Sequence, residues 1–274
     1  MRPAARGGGA GLSAGALAAA LAGSAAAALL AYRAGTLTRS GTVAGWMVGS
    51  AVLAGTGWQG GGVLAAFFVS SNLISRGAPA PPRGLDPKGE RRDHRQVLAN
   101  GGVAGATALV GFHDPQLGLW LLTAALAASA ADTWATAVGA RSAAAPRLIL
   151  GGRPVPPGTS GGVTPLGTLG GAAGALCVAT VGAVLSGISF ILPVAALVGF
   201  GGMALDSALG ASAQGRYHCP RCAESSEWSR HRCGTATVHE RGLTWLDNDG
   251  VNLASSAVAA LAGGVAWRLL CPCT

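Results

Sequence analysis

Charge is scarce in this chain. Asp, Glu, Lys and Arg together supply 11% of its 274 residues, whereas half of the chain is hydrophobic. An ordinary soluble domain carries about a quarter of its residues as charges, so this composition excludes one. Aromatic residues are also few, and no basic helix interleaves with them, which removes nucleic acid as a partner. No internal repeat is visible. What the chain does have is glycine, 45 residues of it, and long uncharged runs. Small residues of this kind let membrane helices approach closely where no hydrophobic force draws them together. A GC-rich genome would also enrich Ala, Gly and Arg, but it would not remove charge from stretches of this length.

A membrane span needs about 20 apolar residues, fewer where neighbouring helices cover it. Runs near 12–32, 42–57, 61–75, 97–112, 117–139, 161–186, 188–210 and 250–270 meet that need. They predict an all-α polytopic transmembrane bundle of about eight spans, formed as one integral membrane domain over residues 1–274. The second and third runs are short and joined by Trp58, Gln59 and Gly60, so one bent element is the alternative. With eight spans, 16 of the 19 basic residues fall on one side, leaving Arg2, Arg6 and Arg268 on the other. The positive-inside rule makes the basic side cytoplasmic, with both termini outside. A basic face suits anionic headgroups or phosphorylated substrates. The stretch to Leu30 also has the early Arg residues and apolar core of a signal peptide, with a first span as the competing reading.

Polar residues gather at the basic ends of the spans. Asp132 and Asp206 sit in stretches otherwise made of Ala, Gly, Leu and Val. A carboxylate inside a span costs roughly 2.5–3.5 kcal/mol on the lenient insertion scale, so each needs a structural or functional reason. On the last span Asn248, Asn252, Ser255 and Ser256 fall at helical spacing, giving a polar stripe that either bonds helices together or lines a site. Three carboxylates beside it, Asp206, Asp247 and Asp249, argue for a Mg2+ site, since that ion takes oxygen ligands and often bridges substrate phosphates. The loop carrying Lys88, Arg91 and Arg92 runs into a helix on which Gln96 and Asn100 share a face. A solvated topology signal is the plain alternative for these cations. Ser160-Gly161-Gly162-Val163-Thr164 is a glycine-rich turn before a helix, where free N–H groups and the helix dipole favour an anion. Ordinary capping by Ser160 or Thr159 competes with that reading, and the turn lacks the Gly-Lys-Ser/Thr of a Walker A motif.

The loop 211–246 holds Cys219-Pro-Arg-Cys222 and then His231-Arg-Cys233. Four soft ligands at this spacing suit a structural zinc ion, in a small cytoplasmic knuckle where thiols stay reduced. A disulfide and unpaired thiols are the alternatives. Cys177 reads as a small core residue.

Six blocks carry a resemblance: Leu37-Thr38-Arg39-Ser40-Gly41, Gln96-Val97-Leu98-Ala99-Asn100-Gly101, Ala131-Asp132-Thr133-Trp134-Ala135-Thr136, Ser160 to Thr168, Asp206-Ser207-Ala208-Leu209-Gly210-Ala211, and Asn248-Asp249-Gly250-Val251-Asn252. In this order they resemble the integral membrane family that includes plant phytyl phosphate kinase, the domain of unknown function 92 family. The resemblance implies phosphorylation of a phytyl or other prenyl monophosphate to its diphosphate, with a nucleotide triphosphate as co-substrate. On this reading Asp132, Asp206 and Asp249 are expected to hold Mg2+, with Asn100, Asn252, Lys88 and Arg92 beside them in the catalytic set. Thr38, Ser40, Ser160, Gly161, Gly162, Thr164, Arg91, Gln96 and Asn248 then bind phosphate or substrate. The family commonly has an acid where this chain has Ala137, about 140° around a helix from Asp132. A transporter of a phosphorylated lipid or small anion is the rival, and a different phospho-group transferase acting on lipids is another.

Overall fold

The computed structural model describes residues 13–79 and 91–271. Seven helices dominate it: α1 (Ala14–Arg33), α2 (Arg39–Arg76), α3 (His94–Ala108), α4 (Pro115–Gly139), α5 (Pro165–Ser186), α6 (Ile191–Ser212) and α7 (Asn248–Leu270). All but α3 are long and apolar enough to cross a membrane. A 3-10 turn over Leu109–Phe112 extends α3. Two antiparallel strands, β1 (Arg147–Leu148) and β2 (Gly162–Val163), close the loop between α4 and α5.

The backbone at Gly57 settles how α2 counts. Its φ of 63° and ψ of −155° interrupt the helix, an angle pair in a region that only glycine enters without strain. The chain then doubles back. A Cβ placed on Gly61 would stand 2.6 Å from Leu53 Cδ2, although eight helical residues rise by about 12 Å. Gly55 touches the end of α3, Gly62 faces Leu185 at the end of α5, and the Arg141 guanidinium donates to the Ile74 carbonyl beside the end of α4. Residues 39–56 and 58–76 are therefore antiparallel legs of about 27 Å each. Eight legs run between two faces, as the separation of basic residues required. α1, the second leg of α2, α4 and α6 end at one face; α2, α3, α5 and α7 begin there.

Each of the four helices that begin at this face is capped by a side chain. Thr38, Asp93, Thr164 and Asp247 accept from the backbone N–H of Gly41, Gln96, Gly167 and Gly250. Such caps satisfy N–H groups that helix geometry leaves without partners. Among the described residues every Lys or Arg except Arg268 lies at this basic face.

α4 is the centre of the bundle. Its residues from Gly118 to Ala131 are buried apart from Leu121, and it packs on α2, α3, α5, α6 and α7. Small residues make this possible. A Cβ on Gly174 of α5 would come within 2.7 Å of the Ala130 carbonyl, so the two backbones are in contact. At the opposite end Trp120 donates to the Gly263 carbonyl at 2.6 Å and stacks edge-on with Phe190, their centroids 5.8 Å apart. Trp267 completes that aromatic group.

The loop between α6 and α7 is not irregular. It forms β3 (Arg216–Cys219), β4 (Glu224–Ser226) and β5 (Val238–Arg241), an antiparallel sheet in the order β4-β3-β5. Its stem closes on the end of α6 through Leu243 N–H to the Ala213 carbonyl and Gly215 N–H to the Leu246 carbonyl.

Candidate functional site

Asp132, Asp206, Asn100 and Ser255 lie at one depth. Counting the 1.5 Å rise from the basic end of each helix places all four about 9–11 Å inside α4, α6, α3 and α7. These helices pack on one another around α4. α4 and α6 run in the same direction and touch where a Cβ on Gly202 would meet Ala128 Cβ at 2.6 Å. Asp206 and Asp132 stand one turn above those two residues, on the same faces. From the third side, Ser255 donates to Asp206 Oδ2 at 3.2 Å. Ser129 donates to the Asn100 carbonyl at 2.9 Å and ties α4 to α3 just below Asp132. Both aspartates remain half-exposed at this convergence, and Asn252, one turn above Ser255, presents a buried Oδ1 that no donor reaches.

The third carboxylate, Asp249, is in the first turn of α7, nearer the basic face. Asp249 faces the Arg95 guanidinium at 3.8 Å, and Arg95 also pairs with Asp247. The carboxylates of Asp132, Asp206 and Asp249 are not drawn into one ligand set; among the described residues only a Cys/His group has three or more such ligand atoms within 4.8 Å of one another. Arg95 thus links the start of α3 to the start of α7, a role that the sequence reading missed although Arg95 adjoins Gln96. Only its position one residue before that motif could have signalled it.

Several expected phosphate contacts are occupied by local structure. Thr38 Oγ1 caps α2 and lies 3.2 Å from Ser40 Oγ, which in turn stands 3.3 Å from His94 Nδ1. Gln96 completes a capping box with Asp93, and Asn100 Nδ2 donates to the Gln96 carbonyl at 3.0 Å. Thr164, not Ser160 or Thr159, caps α5, and it is buried. Gly161 has φ 77° and lies directly against Ala211, so its glycine serves packing on α6. Gly162 N–H donates to the Thr159 carbonyl at 2.9 Å, and the Ser160 hydroxyl donates to the Glu227 carboxylate. The glycine-rich turn thus forms a wall of the site packed on the end of α6, with its Gly162 N–H and Ser160 hydroxyl engaged by protein acceptors. Glu227 adds negative charge beside it.

Cations surround the mouth instead. Arg92 joins the start of α2 to the start of α3 by exchanging backbone bonds with Thr36 and Thr38. Burial pushes its guanidinium below the usual range. Arg91 is exposed beside Gly35, and Asn248 is half-buried in the first turn of α7. Lys88 lies outside the described residues. Arg216 is pulled down by burial, then by the like charge of Arg241, and is partly supported by Glu227 and Glu240. Ala137 is buried on α4, where an acid would have to be desolvated.

The Cys/His residues meet as the spacing predicted. Cys219 Sγ and Cys233 Sγ are 3.6 Å apart, and His231 Nδ1 is 3.2 Å from Cys233 Sγ. The Thr235 hydroxyl, followed by His231, holds the Cys233 thiol down to about 5, while a hydrogen bond with Cys233 is the main cause that raises Cys222 to about 11.

The family model described as integral membrane protein DUF92 matches residues 10–260. The chain belongs to that family. It is 28% identical over 269 residues to Protein PGR of Arabidopsis thaliana, which covers 87% of this chain and 92% of that protein. It is 29% identical over 187 residues to an uncharacterized membrane protein of Methanocaldococcus jannaschii, with coverage of 67% and 77%. A membrane protein of Synechocystis, also uncharacterized, is 29% identical over 180 residues, covering 63% of this chain and 70% of that one. No solved structure matches. DUF92 members are integral membrane proteins, and this one is a multi-pass helical example.

Proposed function

We propose that this DUF92 protein is a membrane-embedded phosphotransferase that extends an isoprenoid monophosphate to the diphosphate at the expense of a nucleotide triphosphate. One observation carries the reading: two carboxylates and a serine converge at a single depth beneath a basic face, with an unpartnered amide oxygen one turn above them. The resemblance of the six sequence blocks to the family that includes phytyl phosphate kinase supports it. Taken with the positive-inside rule, the same face is the cytosolic one, where nucleotide is available.

A phosphate monoester is already ionised at neutral pH and needs no base to attack a terminal phosphoryl group. Bringing two anions together is the difficulty, so positioning and charge neutralisation dominate. Asp132, Asp206 and Asn252 Oδ1 offer hard oxygen donors that fit Mg2+, with Ser255 orienting Asp206. Bound there, Mg2+ would supply charge neutralisation to the phosphates. Arg91 and Arg92 take up charge at the mouth, helped by the N-termini of α2, α3 and α7. Arg95 pairs with Asp247 and Asp249 and so joins the starts of α3 and α7 at the mouth.

Below Asn100 and Asn252 an apolar groove of about 570 Å³ follows the seam of α3, α4 and α7, bordered by Val103, Thr107, Leu121, Leu261, Gly264 and Val265. An isoprenoid tail lies there with its phosphate at the carboxylates. The polar layer sits above the level a bilayer midplane would occupy, which favours an enzyme over a transporter. Purified protein incubated with Mg2+, a panel of nucleotides and prenyl monophosphates of different lengths should yield diphosphates by mass spectrometry. Saturable uptake into sealed vesicles without nucleotide consumption, and no diphosphate from any pair, would reverse the assignment.

A further inference from the structure

Within Arg216–Arg241 the buried residues are Cys219, Ser226 and His231, so this three-stranded unit has no apolar interior of its own. Strands without a hydrophobic face do not hold together in water. Two of those three buried residues belong to the Cys/His group, which places the group where a core would be. Cys219 and Cys222 flank the β3-β4 turn, where Ala223 adopts a left-handed φ of 54°. His231 and Cys233 flank a second tight turn in which Gly234 has φ 82° and donates its N–H to the His231 carbonyl at 2.8 Å. Two such turns point four ligand atoms at one another, all within 4.8 Å.

We infer that Cys219, Cys222, His231 and Cys233 bind one zinc ion tetrahedrally, as three thiolates and one imidazole, and that this ion is the core of the ribbon. Zn–S bonds of about 2.3 Å set an S–S edge of about 3.8 Å in a tetrahedron, close to the 3.6 Å between Cys219 and Cys233. A disulfide needs sulfurs about 2.05 Å apart, and these cysteines are free. His231 Nδ1 faces the thiols, while Nε2 stands 3.3 Å from Glu224 Oε2. With Nε2 turned toward that carboxylate at this distance but without hydrogen-bond geometry, Nδ1 is the nitrogen that faces the metal position.

The ion acts beyond the ribbon. Glu227, just past β4, receives the Ser160 hydroxyl of the glycine-rich turn, and Arg241, ending β5, donates to the Ala211 carbonyl at 2.5 Å. Zinc therefore clamps the wall of the site against the end of α6, a role that does not depend on which substrate the site takes. Plasma mass spectrometry of the full chain purified in detergent under reducing conditions should find about one zinc per chain. Cys222→Ser and His231→Ala should reduce it to background, while Cys177→Ser leaves it unchanged. Cobalt exchanged into the site should show sulfur-to-cobalt charge-transfer bands and intense tetrahedral d–d bands. Where a ligand variant folds poorly, chelation of the wild-type protein should raise hydrogen exchange across 216–241 and leave α4 protected. Wild-type protein without stoichiometric zinc, full zinc retention in Cys222→Ser, or cobalt lacking the sulfur bands would overturn the assignment. None of these readings depends on kinase turnover, so they stand or fall separately from it.

Discussion

α4 and the ribbon 216–241 are built on opposite principles. Around α4, stability is spread over backbones that touch through Gly and Ala, with Gly174 on Ala130 and Gly202 on Ala128. No single contact dominates. In the ribbon a few polar side chains replace that interior, and the rest of the surface is open to water. The difference shows where each part can fail. The bundle is sensitive to added volume at its Gly and Ala contacts; the ribbon tolerates surface change and, with zinc as its proposed core, is sensitive to one lost ligand.

The carboxylate layer combines both, polar groups held by small-residue packing, and it should show the largest effect. Asp206→Asn is expected to lower turnover by more than about 100-fold, beyond the loss usual for a residue that only supports a metal ligand, with an unchanged gel-filtration profile in detergent. Normal turnover would remove Asp206 from the reaction. Overfilling the bundle comes next. Gly202→Val forces a side chain onto Ala128 and should cost about 1–3 kcal/mol or more in thermal or denaturant unfolding, whereas Gly201→Ala, with open space at its Cβ, should be neutral. Equal losses in both would show that the contact of Gly202 with Ala128 is not what limits added volume, since helix propensity alone favours both substitutions.

Separating the two regions needs a subtler measurement. After chelation the ribbon should lose exchange protection while Gly118–Ala131 retains it; joint loss would mean the two fold as one unit. The smallest effect belongs to Arg95→Ala. Arg95 is exposed and its partners Asp247 and Asp249 are half-buried, so removing these pairs should cost less than about 1 kcal/mol and matter less as salt rises. A large, salt-independent loss would reassign Arg95 to the interior of the site.

The order of helices was legible because apolar runs and basic gaps are both long-range patterns. Even the reversal in α2 was implied, since an unbroken helix there would have mixed the basic residues between faces. The turn itself rests on one φ angle at Gly57, which composition does not reveal. The short strands of the ribbon escaped notice because their residues, such as Tyr217 and Ser225, do not alternate apolar with polar. The four metal-type ligands were visible because their chemistry is rare. Thr38, Thr164 and Gln96 were harder. A residue that caps a helix and one that binds phosphate share the same types and the same position at a helix start, so only the observed bonds separate them.

The backward fold of α2 has a practical outcome. It gives an even number of crossings, so the beginning of α1 and the end of α7 emerge opposite the carboxylates. A fusion partner or surface tether attached at either of those points leaves the mouth clear, and molecules immobilised through them would present every mouth in the same direction.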